Sequence, residues 1–267
     1  MRIQTGRRID LPADDPFGTS STVNMRSLKQ GLEQYDRNIS MVRGIVGTSE
    51  ATLGEVETLL QRASEIALRG ANDAQEQAGR DGLAAEVQEL QRRLVDMSNT
   101  RGPMGQYLFA GQRTDTQPFN VSGSTLAYQG DANAIRVETG PNSTITANSV
   151  LDQAFVATYD RLEQLRSRLL GGEAARISNE SLRDLKESQA TFRLERGRIG
   201  VKMQTLDEQR VQGERRRDEL QVGISDIEEI DMAEAIVDYQ QKQMAYEAAM
   251  RVAAQGFNLS LMDFING

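Results

Sequence analysis

The 267-residue chain contains no histidine, no cysteine and no tryptophan. Without histidine or cysteine there is no serine–histidine or cysteine–histidine triad. The usual zinc ligand sets and thiol redox chemistry go with them. Carboxylate, lysine, tyrosine and hydroxyl chemistry is what remains, and no catalytic, metal or cofactor-binding residue is expected. Positive charge is also short: 31 Lys+Arg against 39 Asp+Glu leaves a net charge of −8. A general nucleic-acid binder needs a basic face to neutralise phosphates, so nucleic acid is excluded as a partner. No run approaches the roughly 18 apolar residues of a membrane helix, which excludes a membrane partner. Residues 1–17 hold no apolar core like that of a cleaved secretory signal. The lack of cysteine suits two settings: the cytosol, or export in an unfolded form that cannot rely on disulfides.

Proline is rare and unevenly placed. The five are Pro12, Pro16, Pro103, Pro118 and Pro141, with none from Phe17 to Gly102 and none from Asn142 to the end. A proline inside a helix costs about 3 kcal/mol or more, so tracts this long without one permit long helices. Between them, Pro103–Pro141 is rich in Gly, Ser, Thr and Asn and holds Tyr107, Phe109, Phe119 and Tyr128. That composition reads as short strands and turns. Leu126–Tyr128 runs into a turn-like Gln129-Gly130-Asp131, and Ile135–Glu138 and Thr144–Thr146 are further short strands.

The flanking tracts carry a seven-residue period. Leu32, Ile39, Val46, Leu53, Leu60 and Ala67 form one series, with Met25, Leu28, Tyr35, Val42, Ser49, Val56 and Ala63 interleaved. This is the seam of a helix in a coiled coil or long bundle. A turn is expected over Gly70–Gly82, then a shorter amphipathic helix through Leu83, Val87, Leu90, Leu94 and Met97 that folds back on the first. A third helix covers Val150–Leu170 and ends at Gly171-Gly172. Asn179 or Ser181 is expected to cap the fourth. Its seam is Leu185, Phe192, Ile199, Leu206, Gly213, Leu220 and Ile227, a length of roughly 70 Å. Ile230–Ile265 is a final helical tract.

Several residues admit two readings. Asp14-Asp15-Pro16 is a carboxylate pair, but Asp15 as a helix cap with Pro16 at the first helical position accounts for it. Arg196, Arg210 and Arg217 on the companion seam of the fourth helix either meet a partner's acids or lie as solvated arms along it. Tyr107-Leu108-Phe109 reads as a small hairpin core. Asp115, Asp131 and Glu138 are the only carboxylates on which an enzyme in the central block would depend. The C-terminal tract is different: Ile236, Tyr239, Tyr246, Met250 and Phe257 form an apolar stripe. Leu259, Leu261, Met262, Phe264 and Ile265 make a terminus that needs a partner to cover it.

Five ordered motifs carry a resemblance. They are Thr5–Ile9 with Pro12–Pro16; Leu59–Ala63 with Ile66-Ala67; Asn99-Thr100-Arg101 with Gly105–Gly111 and Thr114–Phe119; Tyr128–Asp131; and Asp231–Ala235 with Leu259–Phe264. Together they resemble the flagellin superfamily, and within it the hook–filament junction branch; the third and fourth motifs point to that branch. The resemblance implies a mainly α fold with a small β subdomain: an elongated, flagellin-like helical rod, a long coiled-coil-like bundle, plus a β-hairpin region. It implies a structural subunit of the bacterial flagellum, extracellular and exported through the flagellar type III channel without a cleaved signal peptide. The implied partners are hook-associated protein 1, flagellin, further copies of the chain in a ring, and an export chaperone. Flagellin itself, or a cytosolic coiled-coil scaffold, is the alternative. Expected divisions are 1–16, a remnant leading to the first helix; 17–102 and 151–229, the rod helices; 103–150, the β-rich part; and 230–267, the terminal helix. The family pattern places some forty or more residues before the motif at Pro12, where this sequence has 11, so the terminal helix is expected to lack its intramolecular partner.

Overall fold

The computed structural model describes residues 6, 8–9, 11–72 and 75–265, with side chains through residue 253. The elements in order are α1 (Pro16–Gly70), α2 (Gln77–Ser98), β1 (Phe119–Ser122), β2 (Thr125–Tyr128), β3 (Arg136–Gly140), β4 (Ser143–Thr146), α3 (Asp152–Leu170), the short α4 (Ala174–Arg176), α5 (Leu182–Glu228) and α6 (Met232–Ile265). Two compact units emerge: Glu33–Gly213, and Met1–Leu32 together with Glu214–Gly267. The mainly helical architecture with a small two-hairpin β region agrees with the fold class expected from the sequence.

In the unit Glu33–Gly213, four helical segments pack antiparallel to their neighbours. The pairing of α1 with α5 is read from side chains that meet in opposite chain order: Arg43 with Asp207, Glu50 with Arg196, Glu57 with Arg193 and Ser64 with Gln189. The seven-spaced series supply the core between them. Ile39, Val46, Leu53, Leu60 and Ala67 of α1 are buried, as are Leu185, Phe192, Ile199 and Leu206 of α5. The companion series of α1 is buried from Val42 through Ser49, Val56 and Ala63, but Leu28 is 60% exposed. α2 folds back on α1, with Arg62 reaching Glu86 and Arg80 donating to the Gly70 carbonyl at 3.4 Å. α3 runs against α2, where Gln91 donates to Glu163 at 3.0 Å and Gln77 to the Leu170 carbonyl at 3.1 Å.

Two helix starts differ from expectation. α2 begins at Gln77 rather than near Leu83, so Gly79 and Gly82 lie inside it. Each glycine costs about 1 kcal/mol relative to alanine, and the bonds of Gln77 and Arg80 to the ends of α3 and α1 hold the first turn in place. Neither Asn179 nor Ser181 caps α5. Both lie in a π-turn, Ile177–Ser181, that continues α4 into α5. Its wider turn changes the helical phase, and Ile177 at its start and Leu185 after it are both fully buried. Ser181 instead accepts a bond from Arg168 of α3 at 2.9 Å.

β1 and β2 form one antiparallel hairpin and β3 and β4 another, as two separate two-stranded sheets. In the first, Phe119 faces Tyr128 and Ser122 faces Thr125. In the second, Arg136 faces Thr146 and Gly140 faces Ser143, with an irregularity between Glu138 and Gly140. Asn142 turns the second hairpin at φ +63°, a left-handed conformation that asparagine tolerates.

In the other unit, the start of α1 runs against the end of α5, with Arg26 on Glu228 and Lys29 donating to Gln221 at 2.7 Å. The Arg8 guanidinium donates twice to the Ile227 carbonyl, at 3.0 and 2.7 Å. A cation on the last carbonyls of a helix is favoured by the helix dipole.

Candidate functional site

The sequence motifs of the central block converge on one construction. Phe155 of α3 is fully buried, and its ring lies 5.1 Å from Phe109, 5.3 Å from Phe119 and 5.3 Å from Phe192 of α5. Tyr128 stacks on Phe119 at 5.1 Å. Tilted and edge-on rings at these separations are the favoured arrangement of aromatic pairs. Tyr107-Leu108-Phe109 is therefore largely core: Leu108 and Phe109 are buried, while Tyr107 lies under the Arg101 guanidinium at 4.4 Å.

Around these rings the backbone is clasped. Asp131 N–H donates to the Ala110 carbonyl at 3.1 Å, and the Tyr128 hydroxyl reaches the carbonyls of Asp131 at 2.7 Å and Phe109 at 3.1 Å. The Asp131 carboxylate accepts the amides of Gln112 at 2.8 Å and Asn133 at 2.9 Å. Those bonds, Gln112 first, hold it below the ordinary carboxylate range. Burial, then the charges of Asp152 and Asp131, push the Tyr128 phenol up to about 12, so it stays a donor. Gly111 sits at φ +69°, where a Cβ would lie 2.0 Å from the Asp131 carbonyl oxygen. At Gly130 a Cβ would meet the Tyr128 hydroxyl at 2.4 Å. Phe109-Ala110-Gly111 and Tyr128-Gln129-Gly130-Asp131 are thus the two jaws of one clasp.

Two asparagines extend it. Asn99 Nδ2 donates to the Phe119 carbonyl at 2.9 Å, and Phe119 N–H donates to Asn99 Oδ1 at 3.0 Å. Asn148 likewise takes the Ile135 N–H at 2.8 Å and donates to the Asn133 carbonyl at 3.0 Å. Each side-chain amide does what a neighbouring strand would do.

The carboxylates considered for chemistry are structural or dispersed. Asp15 Oδ1 accepts the Gly18 N–H at 2.8 Å, a helix cap with Pro16 at the first helical position. Asp131 anchors the clasp, and Asp115 and Glu138 are exposed. Among the described residues no group of three His, Cys, Asp or Glu is placed to hold a metal, and no helix is long and apolar enough to cross a membrane.

Arg196 corrects both readings of that residue. It is neither a solvated arm nor open to a partner's acids: it bridges Glu50 and Glu57 of α1 in the same chain, and Arg193 adds to Glu57. Arg193 first, and Arg196 with it, hold the Glu57 carboxyl below the ordinary glutamate value. The signal was available in the spacing, since Glu50 and Glu57 stand one heptad apart beside the α1 seam. Arg210 and Arg217 also have partners.

On α6, Ile236, Tyr239, Tyr246 and Met250 are all exposed. So is every described residue from Ile236 to Ala253. The side chains of Phe257, Leu259, Leu261, Met262, Phe264 and Ile265 lie outside the described residues.

Comparison with known proteins fits this architecture. Residues 1–114 match the bacterial flagellin N-terminal helical region. The chain is thus similar to the flagellin superfamily over that stretch. It is 26% identical over 284 residues to flagellar hook-associated protein 3 of Escherichia coli K12, covering 97% of this chain and 90% of that protein. A flagellin of Halalkalibacterium halodurans is 21% identical over 257 residues, covering 95% and 85%. Among solved structures, a protein of Vibrio parahaemolyticus described as a flagellar hook-associated protein superposes with a TM-score of 0.75 at 19% identity, covering 81% of this chain and all of that one. The likeness to hook-associated protein 3 of Escherichia coli K12 thus runs over nearly the whole of both chains.

Proposed function

We propose that the chain is a non-catalytic structural subunit of the bacterial flagellum that joins hook-associated proteins to the flagellin filament. The observation that carries this reading is the end-to-end likeness to hook-associated protein 3, at higher identity than to the flagellin cited above. The clasped aromatic hub supports it. Its motifs, Asn99-Thr100-Arg101, Gly105–Gly111 and Tyr128–Asp131, are spent on fixing hairpins to helices, which suits mechanical work. The proposed partners are hook-associated protein 1 on one side, flagellin on the other and further copies of the chain in a ring. A chaperone accompanies export through the flagellar type III channel, without a cleaved signal peptide.

The assembly surface in this proposal is α6. Ile236, Tyr239, Tyr246 and Met250 stand exposed on one helix, and an amphipathic helix gains its stability mainly by packing its apolar stripe. The proposed surface continues through Phe257, Leu259, Leu261, Met262, Phe264 and Ile265.

The test is complementation of two strains, one lacking hook-associated protein 3 and one lacking flagellin. Attached filaments and motility restored in the first strain alone are expected. Filaments built from the chain itself in the second would overturn the reading in favour of flagellin. Tyr246→Asp with Met250→Asp should leave thermal stability unchanged and abolish assembly; assembly at the parental level would remove α6 from the surface.

A further inference from the structure

The two hairpins are seated by different means. β1–β2 buries Phe119 and Leu126 against the aromatic hub. β3–β4 buries no apolar side chain fully: Val137 and Ile145 pack against the edge of the core but are only half-buried. Its one fully buried residue is Thr139, at 3% exposure, and the Thr139 hydroxyl has no hydrogen-bond partner. The contacts at its far end are polar and few. Asn38 of α1 donates to the Glu138 carbonyl at 2.8 Å, and Gln209 of α5 donates to the Ser143 hydroxyl at 2.8 Å. The Gln209 side-chain oxygen is buried without a partner as well. The base of the hairpin is held far more firmly. Ala147, Asn148 and Ser149 are buried. The Ser149 hydroxyl donates to Glu195 at 2.7 Å, and Lys202 donates to the Asn148 carbonyl at 3.3 Å. Asn148 in turn grips Asn133 and Ile135.

We propose that β3–β4 is a strap across α1 and α5 that opens about its pinned base, Asp131–Ile135 and Ala147–Ser149, while the helices and the first hairpin stay folded. An apolar seat makes separation costly, because area leaves a dry core. A polar seat exchanges its bonds for bonds to water, and a buried hydroxyl without a partner gains by reaching solvent. Opening gives up two bonds at the tip and the partial apolar contact of Val137 and Ile145, and relieves two unpartnered oxygens, so this hairpin is the low-stability segment of its unit.

Hydrogen exchange on the full chain tests this, and the parental protein suffices for the first reading. Amides of Arg136–Thr146 should exchange at least about tenfold faster than those of Phe119–Tyr128 and of α5 around Leu206. Thr139→Val removes the stranded hydroxyl at nearly constant volume and should slow exchange in 136–146 by roughly five- to a hundredfold, leaving the first hairpin unchanged. Because the chain has no cysteine, Ser143→Cys with Gln209→Cys offers a single oxidisable pair; closing it should slow the same segment alone. Both hairpins exchanging at one rate, or Thr139→Val and the cross-link leaving 136–146 unchanged, would overturn the proposal.

Discussion

Phe155→Ala removes the ring at which four elements meet. Phe109 belongs to the clasp, Phe119 to β1, Phe192 to α5 and Phe155 itself to α3, each within 5.3 Å of it between ring centres. Phenylalanine-to-alanine changes in cores cost about 3–5 kcal/mol, and the cost rises with the cavity left behind. Here the neighbouring rings are fixed to separate elements, so they cannot collapse together into the void, and the upper half of that range applies. Against a total stability of roughly 5–15 kcal/mol this is a large fraction. At about 2–4 °C per kcal/mol for a domain of this size, the melting temperature should fall by roughly 8–20 °C. Urea unfolding followed by far-ultraviolet circular dichroism gives the free energy, with Val121→Ala as the control. Val121 is 50% exposed, and its change should stay within about 0.5 kcal/mol. A loss below about 1 kcal/mol for Phe155→Ala would refute the hub, since no fully buried ring with three aromatic neighbours is that cheap to remove.

Asp15→Ala deletes the cap of α1 and should cost about 1 kcal/mol in the same urea titration, with Asp15→Asn recovering most of it. Gly111→Ala should cost about 2 kcal/mol or more, from left-handed strain and the collision with the Asp131 carbonyl; a neutral result would remove the clasp. Acid should weaken the α1–α5 pair through Glu57. Its folded-state pKa lies below the ordinary 4.5, so its contribution is complete above that value and is lost as pH falls below it. Glu57→Gln should therefore lower stability at neutral pH and flatten its decline in the acid range, read from melting temperature against pH.

The helices were the legible part of this chain, and the reason is periodic. Leu53, Leu60, Phe192, Ile199 and Leu206 sit where a seven-residue repeat puts them, and all are fully or almost fully buried. Local signals served less well where tertiary bonds outweigh them. The glycines at 79 and 82 argued for a turn, yet Gln77 and Arg80 anchor a helix across that stretch. Asn179 and Ser181 have capping chemistry, but Arg168 from another helix claims Ser181 and Glu180. In the central block the strands were visible and their seating was not. Phe119 was legible as part of a motif, whereas the pairing of its backbone with Asn99 depends on two segments meeting in space. Arg196 misled for the same reason, its acids lying about 140 residues away. The apolar stripe on α6 was legible as a pattern, and four of its residues are exposed.

Asn99 has a consequence for solubility. A two-stranded sheet leaves backbone donors and acceptors open along both margins, which invites a stray strand from another chain. Phe119 N–H and C=O face away from β2 and are taken by Asn99. The Asn99 amide thus blocks, within its own chain, the groups at which intermolecular β-pairing would begin. It does so with a side chain, which cannot propagate the pairing as a further strand would. Replacing Asn99 by alanine would cost some folding free energy. It would also uncover a templating margin, and the variant should therefore gather into aggregates at concentrations the parent tolerates.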